Sequence, residues 1–81
     1  MAVVKISAEP PYQAIQKAYD YDGNNNIIYE GWAHPGALVT DAAWAIKKNV
    51  FVGTNLVQEL WAGGNTNRDK VWASRVSLIY A

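Results

Sequence analysis

Hydrophobic and polar residues alternate with a period of two along most of this chain, the pattern of half-buried strands. Over residues 13–21, Ile15, Lys17, Tyr19 and Tyr21 fall on one face and Ala14, Gln16, Ala18 and Asp20 on the other. Ala, Gln and Lys also suit a helix. The tyrosine-rich end runs straight into Asp22-Gly23-Asn24, however, and a turn there favours a strand. Residues 27–32 then form the return strand. His34-Pro35-Gly36 is a turn in which Pro presets φ and Gly takes a positive value. Residues 37–43 read either as a loop or as one helical turn capped by Thr40.

Alternation resumes over residues 44–52, with Trp44, Ile46, Val50 and Val52 in phase. Lys48 is also in phase, so either this face leaves the core midway or the lysine stem runs along apolar surface. Gly53-Thr54-Asn55 turns the chain into a strand over residues 56–61, and residues 62–67 form a Gly/Asn loop. Residues 71–80 predict a last strand, with Trp72, Ser74, Val76, Leu78 and Tyr80 against Val71, Ala73, Arg75, Ser77 and Ile79.

Two of these hairpins echo each other. Asn26 and Asn55, Glu30 and Glu59, Trp32 and Trp61, and Ala33 and Ala62 all match at one offset of 29 residues, and Gly23 matches Gly53 with one residue dropped. Two copies are fewer than a solenoid needs. The expected fold is all-β, a small antiparallel β-sandwich or barrel of five or six strands built on two similar hairpins. Asp22, Gly23, Pro35, Gly36, Gly53 and Asn55 are its turn residues, and a β-branched residue at Gly23 or Gly53 is expected to destabilise it. Residues 13–81 make a single β domain. Residues 1–12 form an N-terminal arm or edge strand, set apart by Glu9-Pro10-Pro11, in which Val3, Val4 and Ile6 engage a partner.

At 81 residues without a cysteine, the chain has no disulfide or thiolate zinc site to support a small core. Its bulk comes from five tyrosines and four tryptophans, and Trp32, Trp44, Trp61 and Trp72 are the expected aromatic core. Seven basic residues balance seven acidic ones. That balance argues against duplex DNA as a partner and offers little protection against self-association. No apolar run approaches the ~20 residues of a membrane-spanning helix. The N-terminus lacks the apolar core of a signal peptide, so a soluble product outside the usual export route is expected.

Catalysis has few candidates. His34 is the only histidine and lies in a turn, and no serine has a nucleophile-elbow context. Glu30 and Glu59 either face each other as paired carboxylates or sit on the solvent side of half-buried strands, and the second reading is the simpler. The Asp20-to-Asn26 run has oxygen ligands but not the EF-hand spacing, and a tight turn accounts for it. Lys47, Lys48, Arg68, Lys70 and Arg75 are interleaved with aromatics, as in single-strand binders, but they scatter over three elements. No enzyme activity, metal, cofactor, membrane or specific nucleic-acid partner is expected.

Tyr21-Asp22-Gly23-Asn24, followed by Ile28-Tyr29, Gly31, Ala33 and Pro35-Gly36, resembles a group of small proteins of tailed bacteriophages. The resemblance continues through Ala42-Ala43-Trp44-Ala45-Ile46-Lys47-Lys48, Trp61-Ala62-Gly63-Gly64-Asn65 and Val71-Trp72-Ala73-Ser74-Arg75, covering roughly residues 18–81. The chain departs from that pattern at Gly63, where the group has Asp, and at Ala45, where it tends to have Arg. The resemblance implies a non-enzymatic structural component of the virion, present in several copies, as a tail, neck or fibre-attachment protein or a capsid decoration. Its partners would be other virion proteins and copies of itself. The alternative from the residues alone is a small glycan-binding module using tryptophan stacking.

Overall fold

The computed structural model describes residues 14–81. Val3, Val4 and Ile6 lie outside these described residues. The alternating segments become an antiparallel meander of β1 (Gln16–Tyr21), β2 (Ile27–Ala33), β3 (Ala42–Val52) and β4 (Asn55–Trp61), in the spatial order β1-β2-β3-β4. A two-residue strand, β5 (Lys70–Val71), pairs with the start of β3 through Ala42↔Val71 and Trp44↔Lys70. Over the described residues the fold is all-β and antiparallel, with five strands. β3 is its spine, pairing with β2 through residues 45–48, with β4 through residues 47–52 and with β5 at its first turn of alternation.

The hairpin turns form for conformational reasons. Asp22 accepts hydrogen bonds at Oδ1 from the N–H of Asn24 (2.7 Å) and Asn26 (3.0 Å), and the left-handed position belongs to Asn25 (φ 64°). Gly23 has no positive φ, so the expected intolerance of a β-branched residue there finds no left-handed backbone behind it; Asn25, two residues on, takes that conformation instead. Gly53 does carry a positive φ (63°) at the first central position of the β3–β4 hairpin, where Val52 pairs with Asn55. In the second turn the Ala37 N–H donates to the His34 carbonyl with Gly36 at φ 88°, the arrangement of a Pro-Gly type II turn. The following segment is a loop fixed by Asp41 rather than Thr40: Asp41 Oδ2 accepts from the Leu38 N–H at 2.8 Å.

One face of the sheet carries the core. Tyr29, Gly31 and Ala33 of β2 and Trp44 and Ile46 of β3 are buried there, joined by Ala37, Ala62 and Trp72. Trp44 and Ile46 are fully enclosed, while Val52 at the far end of the same phase is exposed. The face therefore leaves the core midway, and Lys48 marks the boundary with its Nζ 5.9 Å from the Tyr80 ring.

The layer that covers this face is the C-terminal segment, and it is not the continuous strand expected over residues 71–80. After β5 the chain winds into a 3-10 helix, Trp72–Ser77, and becomes extended again at Leu78. The reason is a period of three: Trp72, Arg75 and Leu78 turn toward the sheet while Ala73, Ser74, Val76, Ser77 and Ile79 are exposed. A 3-10 helix stacks positions i and i+3. The helix is anchored by Arg75, whose Nε and Nη2 each lie 2.9 Å from Asp20 Oδ2 on β1, and by the Ala73 N–H donating to Val39. The tail then returns to the sheet: Ala62 bridges Tyr80, and Trp61 exchanges two 3.0 Å backbone hydrogen bonds with Ala81.

Candidate functional site

Among the described residues no element covers the opposite face of the sheet, and the repeated residues meet there. β2 and β4 both run antiparallel to β3, so they run parallel to each other with one strand between them. Equivalent positions of the two hairpins consequently lie across β3 from each other, offset by two residues. Trp32, in register with Ala45, and Trp61, in register with Lys47, bring their rings to 5.3 Å between centroids at 34°. Ala45 between them has only a methyl group, which leaves room for both indoles.

This corrects the reading of all four tryptophans as one core. Trp44 and Trp72 are in the core, 5.7 Å apart, whereas Trp32 and Trp61 are half-buried on the open face. Strand parity is the cause: Trp32 alternates with the inward-facing Gly31 and Ala33.

Charges line the pair on one side. Lys17 of β1 places its Nζ 4.9 Å from the Trp32 ring, and Lys47 lies 5.7 Å from it. Glu30 and Glu59 do share this face, but as the two carboxylates of Lys47, not as a catalytic pair. Lys47 Nζ is 3.2 Å from Glu30 Oε2 and hydrogen-bonds Glu59 Oε1. Neither simple surface exposure nor an acid–base couple describes Glu30, whose side chain is largely shielded between Lys17 and Lys47. Asn49, itself buried, donates from Nδ2 to Glu30 Oε2 (2.9 Å) and to the Ile27 carbonyl (3.0 Å). Burial pushes the Glu30 carboxyl upward, but the hydrogen bonds from Asn49 and Lys47 and the two lysine charges outweigh it and hold it below its ordinary value. Burial would likewise lower Lys47, yet its hydrogen bonds to Glu59 and Glu30 leave it raised. Both shifts favour the ionised forms, so the network is an ion-paired cluster that orders this surface.

On the other side of the pair a cleft of about 270 Å³ opens between Trp32, Ala45, Trp61, Thr66 and Arg68. Thr66 and Arg68 come from the loop between β4 and β5, which Gly63 and Gly64 start at φ 68° and 71°. Arg68 makes no ion pair among the described residues.

The remaining candidates are dispersed. His34 sits in its exposed turn. Asp20 is taken by Arg75 and Asp22 by its own turn, which also holds the Asn26 amide at 3.1 Å, so the Asp20-to-Asn26 run does not converge on a point. Among the described residues no three of His, Asp and Glu gather where they could hold a metal ion. Lys47 and Lys48 point to opposite faces, and Lys70 is held by Asp69 and Asn65, so the basic residues form no stripe. The turn residues Asp22, Gly23 and Gly53 cluster at one end of the sheet, where Asn26 Nδ2 donates to the Gly53 carbonyl at 3.1 Å; Asn55 opens β4 there, and Pro35 and Gly36 belong to the β2–β3 connection. Sequence reasoning missed Lys17, Asn49 and Thr66; the shared phase of Lys17 and Asn49 with Trp32 shows only once the cross-strand register is known, and Thr66 reaches the tryptophans from the β4–β5 loop. Comparison of the chain with protein-family models, with curated proteins and with solved structures found no match.

Proposed function

We propose that this chain is a non-enzymatic structural component of a tailed-phage virion, assembled in several copies. One observation carries the reading: among the described residues both edge strands of the sheet, β1 and β4, expose large apolar side chains. Leu56 and Val57 of β4 are about half exposed (49% and 56%), and Tyr19 and Tyr21 of β1 are similarly open. Natural edge strands are usually blunted with charge, proline or a covering element. β1 carries Lys17 and Asp20, but residues 55–58 of β4 carry no charge, and among the described residues only the Trp61 end of β4 is covered, by Ala81. With zero net charge there is no general repulsion between copies. Neighbouring subunits would supply burial that so small a core lacks. The resemblance to small phage proteins names the setting in which such edges are covered: tail, neck, fibre attachment or capsid surface.

Sedimentation equilibrium of the full chain tests the association. The expected result is a reversible oligomer that Val57→Lys shifts toward monomer, with a melting temperature that rises with protein concentration in the parent and no longer does so in the variant. A monomer at millimolar concentration would contradict the proposal.

A second reading, a small glycan-binding module, is favoured by a separate observation. The repeated tryptophans are neither in the core nor fully covered, and they border a cleft.

A further inference from the structure

We infer that the Trp32–Trp61 cleft holds a carboxylate-bearing sugar of an acidic polysaccharide, with Arg68 as the group that selects the acid; this rests on the glycan-binding reading. At about 270 Å³ the cleft falls just below the ~300–1,000 Å³ of drug-sized ligand pockets, a size for one ring and its substituents rather than a long segment. Its walls suit a sugar. An indole face carries negative charge density, which attracts the weakly positive C–H face of a pyranose. The Thr66 hydroxyl at the rim both donates and accepts.

Charge decides the class of sugar. Among the described residues Lys17, Lys47 and Arg68 surround the tryptophan pair, and Glu30 and Glu59 oppose them. The two lysines are committed to the two glutamates, which leaves the Arg68 guanidinium with its donors unused among the described residues. A guanidinium presents a planar fork of N–H groups that matches a carboxylate bidentately. A neutral sugar would use the tryptophans and leave that charge idle. A nucleic acid would also stack and pair with Arg68, but the basic residues form no stripe along which its further phosphates could lie.

The test is an array of uronic-acid and sialic-acid oligosaccharides beside their neutral counterparts and single-stranded DNA, probed with the full chain. Arg68→Gln tests the selecting group, and Lys48→Gln on the opposite face removes the same charge elsewhere. The expected result is binding to acidic oligosaccharides alone, weakened at least tenfold by Arg68→Gln with no change in melting temperature, and untouched by Lys48→Gln. Equal binding of acidic and neutral sugars, indifferent to Arg68→Gln, would overturn the inference and leave the glycan reading standing. Binding of no saccharide would overturn both. Preference for single-stranded DNA would replace the sugar with a nucleic acid.

Discussion

Gly31 is the position at which the core is least able to accept a single added carbon. It lies on the inward face of β2 beneath both core indoles. A Cβ there would stand 2.6 and 2.8 Å from two ring atoms of Trp72 and 2.9 Å from one of Trp44. Carbon atoms prefer ~3.5–4.0 Å, so one ring or the strand must move by roughly 1 Å. Neither ring is free. Trp44 Nε1 donates to the Leu38 carbonyl at 3.0 Å, and Trp72 is sandwiched between Trp44 and the Arg75 guanidinium, 4.7 Å from its ring. Overpacking of this kind costs ~1–3 kcal/mol, and breaking the Trp44 hydrogen bond would add ~0.5–1.5 kcal/mol. Gly31 has no positive φ, so alanine also restricts the unfolded chain and returns ~0.4–1 kcal/mol. The net for Gly31→Ala is about 2 kcal/mol of destabilisation. For a domain of this size that lowers the melting temperature by ~8–16 °C, at ~4–8 °C per kcal/mol. Thermal unfolding followed by far-UV circular dichroism measures the shift, and near-UV dichroism reports the indole packing. A variant that melts within a degree of the parent, with its near-UV spectrum intact, would refute the packing argument.

Other perturbations separate the two faces and the turns. Trp44→Ala should largely unfold the protein, since a buried Trp→Ala change costs ~3–5 kcal/mol against a total near ~5 kcal/mol; Trp61→Ala should stay folded with a modest loss, both read by thermal melts. Gly53→Ala, at positive φ, should cost ~1 kcal/mol or more, whereas Gly23→Ala, with open space around its Cα and no positive φ, should be nearly neutral. Stability should depend on pH at both ends. The lowered Glu30 and Asp22 carboxyls contribute above their unfolded values, 4.5 and 3.8, and that contribution is lost as pH falls through the folded ones. Lys47 is raised above 10.5, and burial with the nearby Tyr29 pushes Tyr80 up to about 12 despite Arg75, so their contributions persist at neutral pH and fade as pH rises beyond about 10. A melting temperature flat from pH 3 to 12 would contradict these assignments. Calcium at millimolar concentration should leave the melting temperature unchanged, because Asp20 and Asp22 are already engaged by Arg75 and by the turn.

The meander was legible because period-two alternation and turn chemistry agree: Tyr21 runs into an Asp-Gly turn, Trp44 and Ile46 share a phase, and Val52 meets Gly53. The C-terminal segment was not, because Trp72, Leu78 and Tyr80 fit a period of two as well as Trp72, Arg75 and Leu78 fit a period of three. What decides is Asp20, 55 residues away, which draws Arg75 to the sheet. The repeat put Trp32 and Trp61 at equivalent positions, and their rings meet at 5.3 Å, but it did not tell which face they take. Burial follows from which parity meets the covering layer, and that depends on Gly31 leaving space for two indoles. Arg68 stood out in sequence only as one of several basic residues; its place beside the tryptophans depends on the Gly63-Gly64 bend.

The central claim is that this chain is a multi-copy part of a phage particle, and quantitative mass spectrometry of purified virions from a phage carrying its gene tests it most directly. The account predicts the chain in intact, nuclease-treated particles at a fixed ratio to the major capsid protein, corresponding to several copies per virion. Absence from particles, with the chain recovered only from the soluble lysate of infected cells, would contradict it.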